Sequence, residues 1–128
     1  MKVQYVVGLA MLTGVAIGAV AIEGLHAQGK LKAYTITETE TLDATAQAEF
    51  AKAATAAQQP AGGHPLRTGG GKIVQIDGAA PPKRVILTEW DSLDQAVAFY
   101  KSKAWTDLAP LRNKGVKTIR RYAVETTN

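Results

Sequence analysis

The stretch PPKRVILTEWDSLDQAVAFYKS, Pro81 to Ser102, constrains the fold more than any other part of the chain. Val85-Ile86-Leu87-Thr88 is a short β-branched apolar run behind a Pro-Pro breaker, the pattern of a strand buried on both faces. It predicts a central strand over Lys83 to Trp90. Ser92 then precedes Leu93, Ala96, Val97 and Tyr100 at helical spacing, with Gln95 three residues after the serine. The serine hydroxyl can accept from a first-turn N–H while Gln95 reaches back, so a capped helix starts at Leu93.

The first 27 residues differ from the rest. Lys2 is followed by an uncharged Gly/Ala-rich run from Tyr5 to Ile22 and then by Leu25-His26-Ala27. This is the charged, apolar and small-residue pattern of a secretory signal peptide, with cleavage after Ala27. The alternative is a retained helix that anchors the protein to the inner membrane through residues 3–22, since roughly 20 apolar residues can span a bilayer. Either reading exports residues 28–128 as one domain, periplasmic or secreted, and only the second implies a membrane partner. Lys2 and Glu23 cancel, so the mature chain keeps the formal charge of +4. A hydrophobic content of 46% with 20% charged residues excludes a disordered chain. Without cysteine, stability has to come from the core or from oligomerisation.

Elsewhere the pattern alternates between strand and helix periods. Leu31 to Glu38 carries Tyr34 and Ile36 between threonines, a two-residue period that predicts a first strand. Asp43 caps an alanine-rich helix running to about Gln58, with Ala46, Phe50, Ala53 and Ala57 on one face. Gln59 to Gly71 reads as a loop or irregular strand, and Lys72 to Asp77 as a second strand that pairs with the central one as a hairpin. Ser102 caps a further helix containing Trp105, Leu108 and Leu111, in which Pro110 must lie near an end or a kink. Gly115 ends it, and Val116 to Glu125 forms the last strand. The order βαββαβ predicts an α+β fold of the ferredoxin-like type, a four-stranded antiparallel sheet with helices on one face.

On these residues the chain resembles the bacterial domain-of-unknown-function family 1330. The matching pieces are Ala33-Tyr34 with Ile36 and Glu38, Asp43, Phe50, Gly62-Gly63, Gly69-Gly70, Arg84 with Glu89 and Trp90, Ser92, Tyr100 with Ser102, Trp105, and Leu111-Arg112. The resemblance implies a dimeric α/β barrel, a homodimer whose two sheets face each other around a shared interior, and implies no activity. Two places depart from the family pattern. Thr68 stands where an arginine usually precedes the second glycine pair, with Arg67 one residue earlier, and His64-Pro65 replace a basic-aromatic pair.

Few residues suggest chemistry. Glu38 and Glu89 sit at opposite ends of adjacent strands, roughly 16 Å apart at about 3.3 Å per residue, too far for a carboxylate dyad. Glu38 is expected to pair with Arg84 across the strands. His64 is the only histidine of the mature chain, so a multi-histidine metal site within one chain is excluded, and no cofactor is expected. Gly69-Gly70-Gly71-Lys72 lacks the phosphate-loop spacing because Leu66 stands where a glycine is needed. The basic run Arg112, Lys114, Lys117, Arg120 and Arg121 does not make a nucleic-acid surface, because adjacent strand residues point to opposite faces. Two functional readings remain open. One is a binding or structural module whose ligand-binding candidates for a small organic molecule are Arg84, Arg67, Tyr34 and Trp90. The other, which rests on analogy with the dimeric α/β barrels that the chain resembles, is a cofactor-independent isomerase or monooxygenase-like enzyme acting on a small organic acid or aromatic, with His64 or Glu38 moving the proton and Arg84 or Arg67 holding an anionic substrate.

Overall fold

The structure, a computed structural model, describes residues 31–128. The leader expected over residues 1–27 lies outside the described residues, and no helix among the described residues is long and apolar enough to cross a membrane. Strands β1 (Ala33–Thr41), β2 (Gly63–Pro65), β3 (Arg84–Trp90) and β4 (Val116–Glu125) form one sheet in the order β2-β3-β1-β4. Every neighbouring pair is antiparallel. Helices α1 (Ala44–Gln58), α2 (Leu93–Lys101), α3 (Lys103–Thr106) and α4 (Ala109–Gly115) complete a ferredoxin-like α+β fold.

Both main helices start where the sequence places them. Asp43 accepts a hydrogen bond from the Ala46 N–H at 2.8 Å, and Ser92 accepts one from the Gln95 N–H at 3.2 Å. The Gln95 side chain turns back onto the Ser92 hydroxyl rather than the backbone. Ser102 behaves differently from the expectation: its hydroxyl donates to the Phe99 carbonyl at 2.6 Å, closing α2 instead of capping α3. Pro110 falls in the first turn of α4, where its missing N–H has no intrahelical partner to lose, so the expected single helix divides in two. Gly115 ends α4 against α1: a Cβ there would stand 2.6 Å from the Gln47 nitrogen and 2.7 Å from the Ala46 carbonyl carbon. The α1 face that meets the sheet is Ala46, Phe50, Ala54 and Gln58, a strict four-residue stagger that leaves Ala53 and Ala57 half-buried.

The second strand lies elsewhere than the β-branched run Lys72–Asp77 suggests. Gly63–Pro65 pairs with Trp90, Glu89 and Thr88, and Leu66 N–H donates to the Leu87 carbonyl. Thr68 then seals the rest of the β3 edge with its side chain. Its hydroxyl donates to the Val85 carbonyl at 2.8 Å and accepts from the Leu87 N–H at 3.2 Å. With that edge occupied, Lys72–Asp77 has no strand to pair with, and Val74 and Ile76 stand 67% and 92% exposed.

The core sits between the helices and one face of the sheet, built on Ala33, Phe50, Trp90, Phe99 and Trp105. Five aromatic rings, these four with Tyr100, stack with centroids 4.9 to 5.9 Å apart. On the other face, alternation and register bring together Tyr34 and Ile36 of β1, Val85 and Leu87 of β3, and Tyr122 and Val124 of β4. Glu38 lies on this face with Arg120 as its ion-pair partner. It does not meet Arg84: Thr39 is opposite Arg84 and Glu38 opposite Val85, and one residue of register turns a side chain to the other face.

Because one hydroxyl replaces two ladder hydrogen bonds at the β3 edge, Thr68→Val is expected to lower unfolding stability by about 1–3 kcal/mol, with Thr68→Ser close to wild type, as read by urea denaturation. A Thr68→Val protein as stable as wild type contradicts this account of the edge.

Candidate functional site

A cavity of about 150 Å³ lies between the helix-facing side of the sheet and α1. Its floor is built by strand alternation. Thr37 and Thr39 of β1 point inward, with Arg84 and Ile86 of β3 on one side and Arg121 of β4 on the other, through the pairs Thr39–Arg84, Thr37–Ile86 and Thr37–Arg121. The roof is small because α1 presents Ala51 and Ala54 there, and Phe50, Tyr100 and Trp105 close one wall.

The cavity is cationic. The ion pairs of the described residues are Lys32–Glu89, Lys103–Asp107 and Arg120–Glu38, with His64 Nε2 beside Asp91, and none of these contacts involves Arg84, Arg112 or Arg121. The Arg121 guanidinium lies 4.6 Å from the centroid of the Trp105 ring and 5.0 Å from that of Tyr100, while its Nε donates to Thr37 Oγ1 at 3.0 Å. Burial lowers its pKa, and the nearby Arg112 lowers it further against an opposing contribution from Tyr100. Arg112 reaches the same indole, 4.9 Å from the centroid. Burial alone lowers the Arg84 pKa. Both groups stay protonated near neutrality, since a guanidinium holds its proton throughout the ordinary pH range.

Unmet hydrogen-bonding capacity marks one corner. Thr39 is 2% exposed, and its Oγ1 has no hydrogen-bond partner; the buried Nε of Arg84, its cross-strand neighbour, has none either. Gly69 makes room for that arginine, because a Cβ at this position would stand 2.7 Å from Arg84 Nη2. The adjacent rows of β1 are satisfied: Thr35 Oγ1 accepts from Trp90 Nε1 at 3.0 Å and approaches the Tyr100 hydroxyl at 3.3 Å, and Thr37 is bonded to Arg121.

Of the catalytic and ligand-binding candidates His64, Glu38, Arg84, Arg67, Tyr34 and Trp90, only Arg84 lines the cavity. Arg67 is exposed in the turn after β2, and Trp90 is fully buried in the core behind the cavity. Tyr34 and Glu38 lie on the opposite sheet face. His64 is exposed at the β2 edge with Nε2 3.3 Å from Asp91 Oδ1, and it does not line the cavity. Glu89 lies opposite Tyr34 and Glu38 opposite Val85, so the two carboxylates are separated as expected. Among the described residues no group of three or more His, Cys, Asp or Glu side chains is arranged to hold a metal ion. Sequence reading misses Thr39 and Arg121. The available signal for Arg121 is its parity: it alternates with Ala123 onto the side of the strand opposite Tyr122 and Val124.

The sequence model of a family described as a domain of unknown function, DUF1330, matches residues 32–126. Among solved structures the chain is similar to a protein of unknown function from Rhodopseudomonas palustris, with TM-score 0.60 and 12% identity, covering 77% of this chain and 85% of that one. It also matches SnoaB, a cofactor-independent oxygenase from Streptomyces nogalater, with TM-score 0.49 and 10% identity over 77% of this chain and 95% of that one. The first likeness shows the fold. No protein of curated function matches the chain.

An unsatisfied buried hydroxyl costs about 1–3 kcal/mol, so the isosteric Thr39→Val is expected to stabilise the protein by about 1 kcal/mol. Thr35→Val, which strands the Trp90 N–H, should destabilise it by about 1–3 kcal/mol. Equilibrium unfolding of the two variants side by side reads the contrast, and equal losses in both argue that Thr39 is satisfied like its neighbour.

Proposed function

The chain belongs to the DUF1330 family, a domain of unknown function, and on that premise we propose that it is an exported small-ligand-binding module that works as a homodimer. The observation that carries the binding reading is the cavity under α1, about 150 Å³ in volume, with unpaired polar groups at one end and aromatic and aliphatic walls at the other. Binding sites have this mixture of an apolar lining and a few convergent polar groups.

The cavity lining favours binding over proton-transfer catalysis. Its ionisable members are the guanidiniums of Arg84 and Arg121 and the phenol of Tyr100, and its lining holds neither a carboxylate nor an imidazole. An isomerase- or monooxygenase-like reaction through His64 or Glu38 would require chemistry at the β2 edge or on the opposite sheet face, away from this cavity.

The uncovered sheet face supports the dimer. Tyr122 and Val124 are 48% and 52% exposed, beside half-buried Tyr34, Ile36, Val85 and Leu87, and contiguous apolar surface of this kind marks an interaction site. A second copy is the partner that such a face suits by symmetry, since the same patch meets itself across a two-fold axis. The Glu38–Arg120 and Lys32–Glu89 pairs take up charges on β1, β3, β4 and the segment before β1 that would otherwise have to be desolvated singly. Export follows the N-terminal pattern of residues 1–27, and the intact mass of protein recovered from the periplasm tells a cleaved leader from a retained anchor.

A thermal-shift screen of single-ring compounds on the full chain is expected to find compounds that raise Tm for wild type and not for Ala54→Leu, which fills the roof. Equal responses in the two proteins would sink the cavity reading. In sedimentation velocity at micromolar concentration, wild type should run as a dimer and Leu87→Lys as a monomer. A wild-type monomer removes the dimer.

A further inference from the structure

We infer that the cavity takes a small amphipathic monocarboxylate, a single ring or compact branched chain, with its carboxylate held between Arg84 and Thr39. This rests on the reading of the cavity as a ligand site and adds the chemical class of the ligand.

The charge of the site favours an anion. Arg84 and Arg121 both line the cavity, and no described ion pair satisfies either one. Arg121 and the Nε end of Arg84 are withdrawn from water without a counter-charge, and a carboxylate supplied by a ligand offsets that desolvation. Arg121 is partly provided for, with Nε bonded to Thr37 and its guanidinium over the Trp105 and Tyr100 rings. Arg84 has only its place against Gly69.

Of the three buried unpaired side-chain atoms among the described residues, Arg112 Nη1 belongs to a residue outside the cavity lining, and the other two specify where the anion sits. Arg84 Nε–H and the Thr39 hydroxyl are both donors, both buried and both without a partner, on residues directly opposite each other in the β1–β3 ladder. Side chains of such a pair leave Cβ atoms about 5 Å apart, a spacing across which a carboxylate accepts one hydrogen bond at each oxygen. A carboxylate partner also accounts for a hydroxyl, rather than an isosteric valine, at a position 2% exposed.

The remainder of the cavity excludes a bare inorganic anion. Phe50, Ile86, Leu66 and Trp105 face the same space, and an ion the size of phosphate would leave those walls in contact with water. A volume of about 150 Å³ is that of a cavity which takes one benzene ring, so the apolar body is a single ring or an aliphatic group of the same bulk.

The test titrates the full chain with sodium benzoate, benzamide and sodium phosphate at constant ionic strength, read by tryptophan fluorescence because Trp105 lines the cavity. Benzoate should bind at least about tenfold more tightly than benzamide, its neutral isostere, as expected when a charged partner is lost. Thr39→Val should weaken benzoate about tenfold without lowering Tm, and leave any benzamide affinity unchanged. Arg84→Gln should abolish the preference for benzoate over benzamide, and Arg84→Lys, which keeps the charge but loses the fork, should restore it in part. Benzamide binding as tightly as benzoate overturns the carboxylate and leaves the cavity as a ligand site. Phosphate binding more tightly than benzoate, with the same dependence on Arg84, overturns the amphipathic class in favour of an inorganic anion. If none of the three binds at millimolar concentration, the carboxylate and the ligand site both fall.

Discussion

The inward face of β1 is made of hydroxyls where a core strand usually carries hydrocarbon, and each of those hydroxyls has to find a partner or leave a cost unpaid. Ala33, Thr35, Thr37 and Thr39 run along it from the aromatic core to the cavity. Thr35 is fixed by the Trp90 indole, which ties β1 to β3 at the dry end. Thr37 is bonded to Arg121, which ties β1 to β4 and brings a guanidinium inside. Thr39 has no partner among the described residues. Polarity therefore rises along one strand while satisfaction falls, and the unsatisfied end is the one that lines the cavity. Natural chains tolerate such a local defect where a ligand removes it, because a satisfied alternative such as valine is only a methyl-for-hydroxyl exchange away.

The space beside that strand has an equally specific origin. α1 packs on the sheet through Ala46, Phe50 and Ala54, and Gly115 lets α4 approach the first turn of α1 without a side chain between them. Small residues normally draw a helix close to a sheet and leave nothing behind. Here Phe50 and Trp105, whose rings lie 5.7 Å apart at the far side, hold α1 off the floor, and Ala51 and Ala54 leave the gap unfilled. The cavity is thus a consequence of one large residue and two small ones on a single helix face.

Local patterns made most of the fold legible. The capped starts of α1 and α2 and the bounds of β4 depend on neighbouring residues alone, and the structure agrees with them. The second strand was not legible because it is decided by competition. Lys72–Asp77 has the stronger strand composition, yet Gly63–Pro65 and the Thr68 hydroxyl already occupy the only β3 edge within reach. The Glu38 partner failed for a related reason. β1 has two neighbours, and choosing between Arg84 and Arg120 requires a register known to one residue, which turn-free strands joined through helices do not reveal. Of the site, Arg84 was readable as a charged residue in a central strand. Thr39 looked like one threonine among several, since nothing local separates a bonded hydroxyl from an unbonded one.

Arg121 shows how much the site owes to a single irregularity. The β1–β4 register shifts between Glu38 and Thr39, so that Arg120 is opposite Glu38 while Thr118 is opposite Thr39, and Ile119 is the extra residue. Val116 and Arg121 are an odd number of positions apart and in a regular strand would face opposite ways. The bulge changes that parity, and both residues line the cavity. It also turns Arg120 outward onto Glu38, so the two adjacent arginines separate into one that is neutralised on the open face and one that brings an uncompensated charge inside. Without the extra residue the strand could satisfy the alternation at Val116 or at Arg121 but not at both. The bulge is therefore part of the site, although it touches the cavity with no side chain of its own.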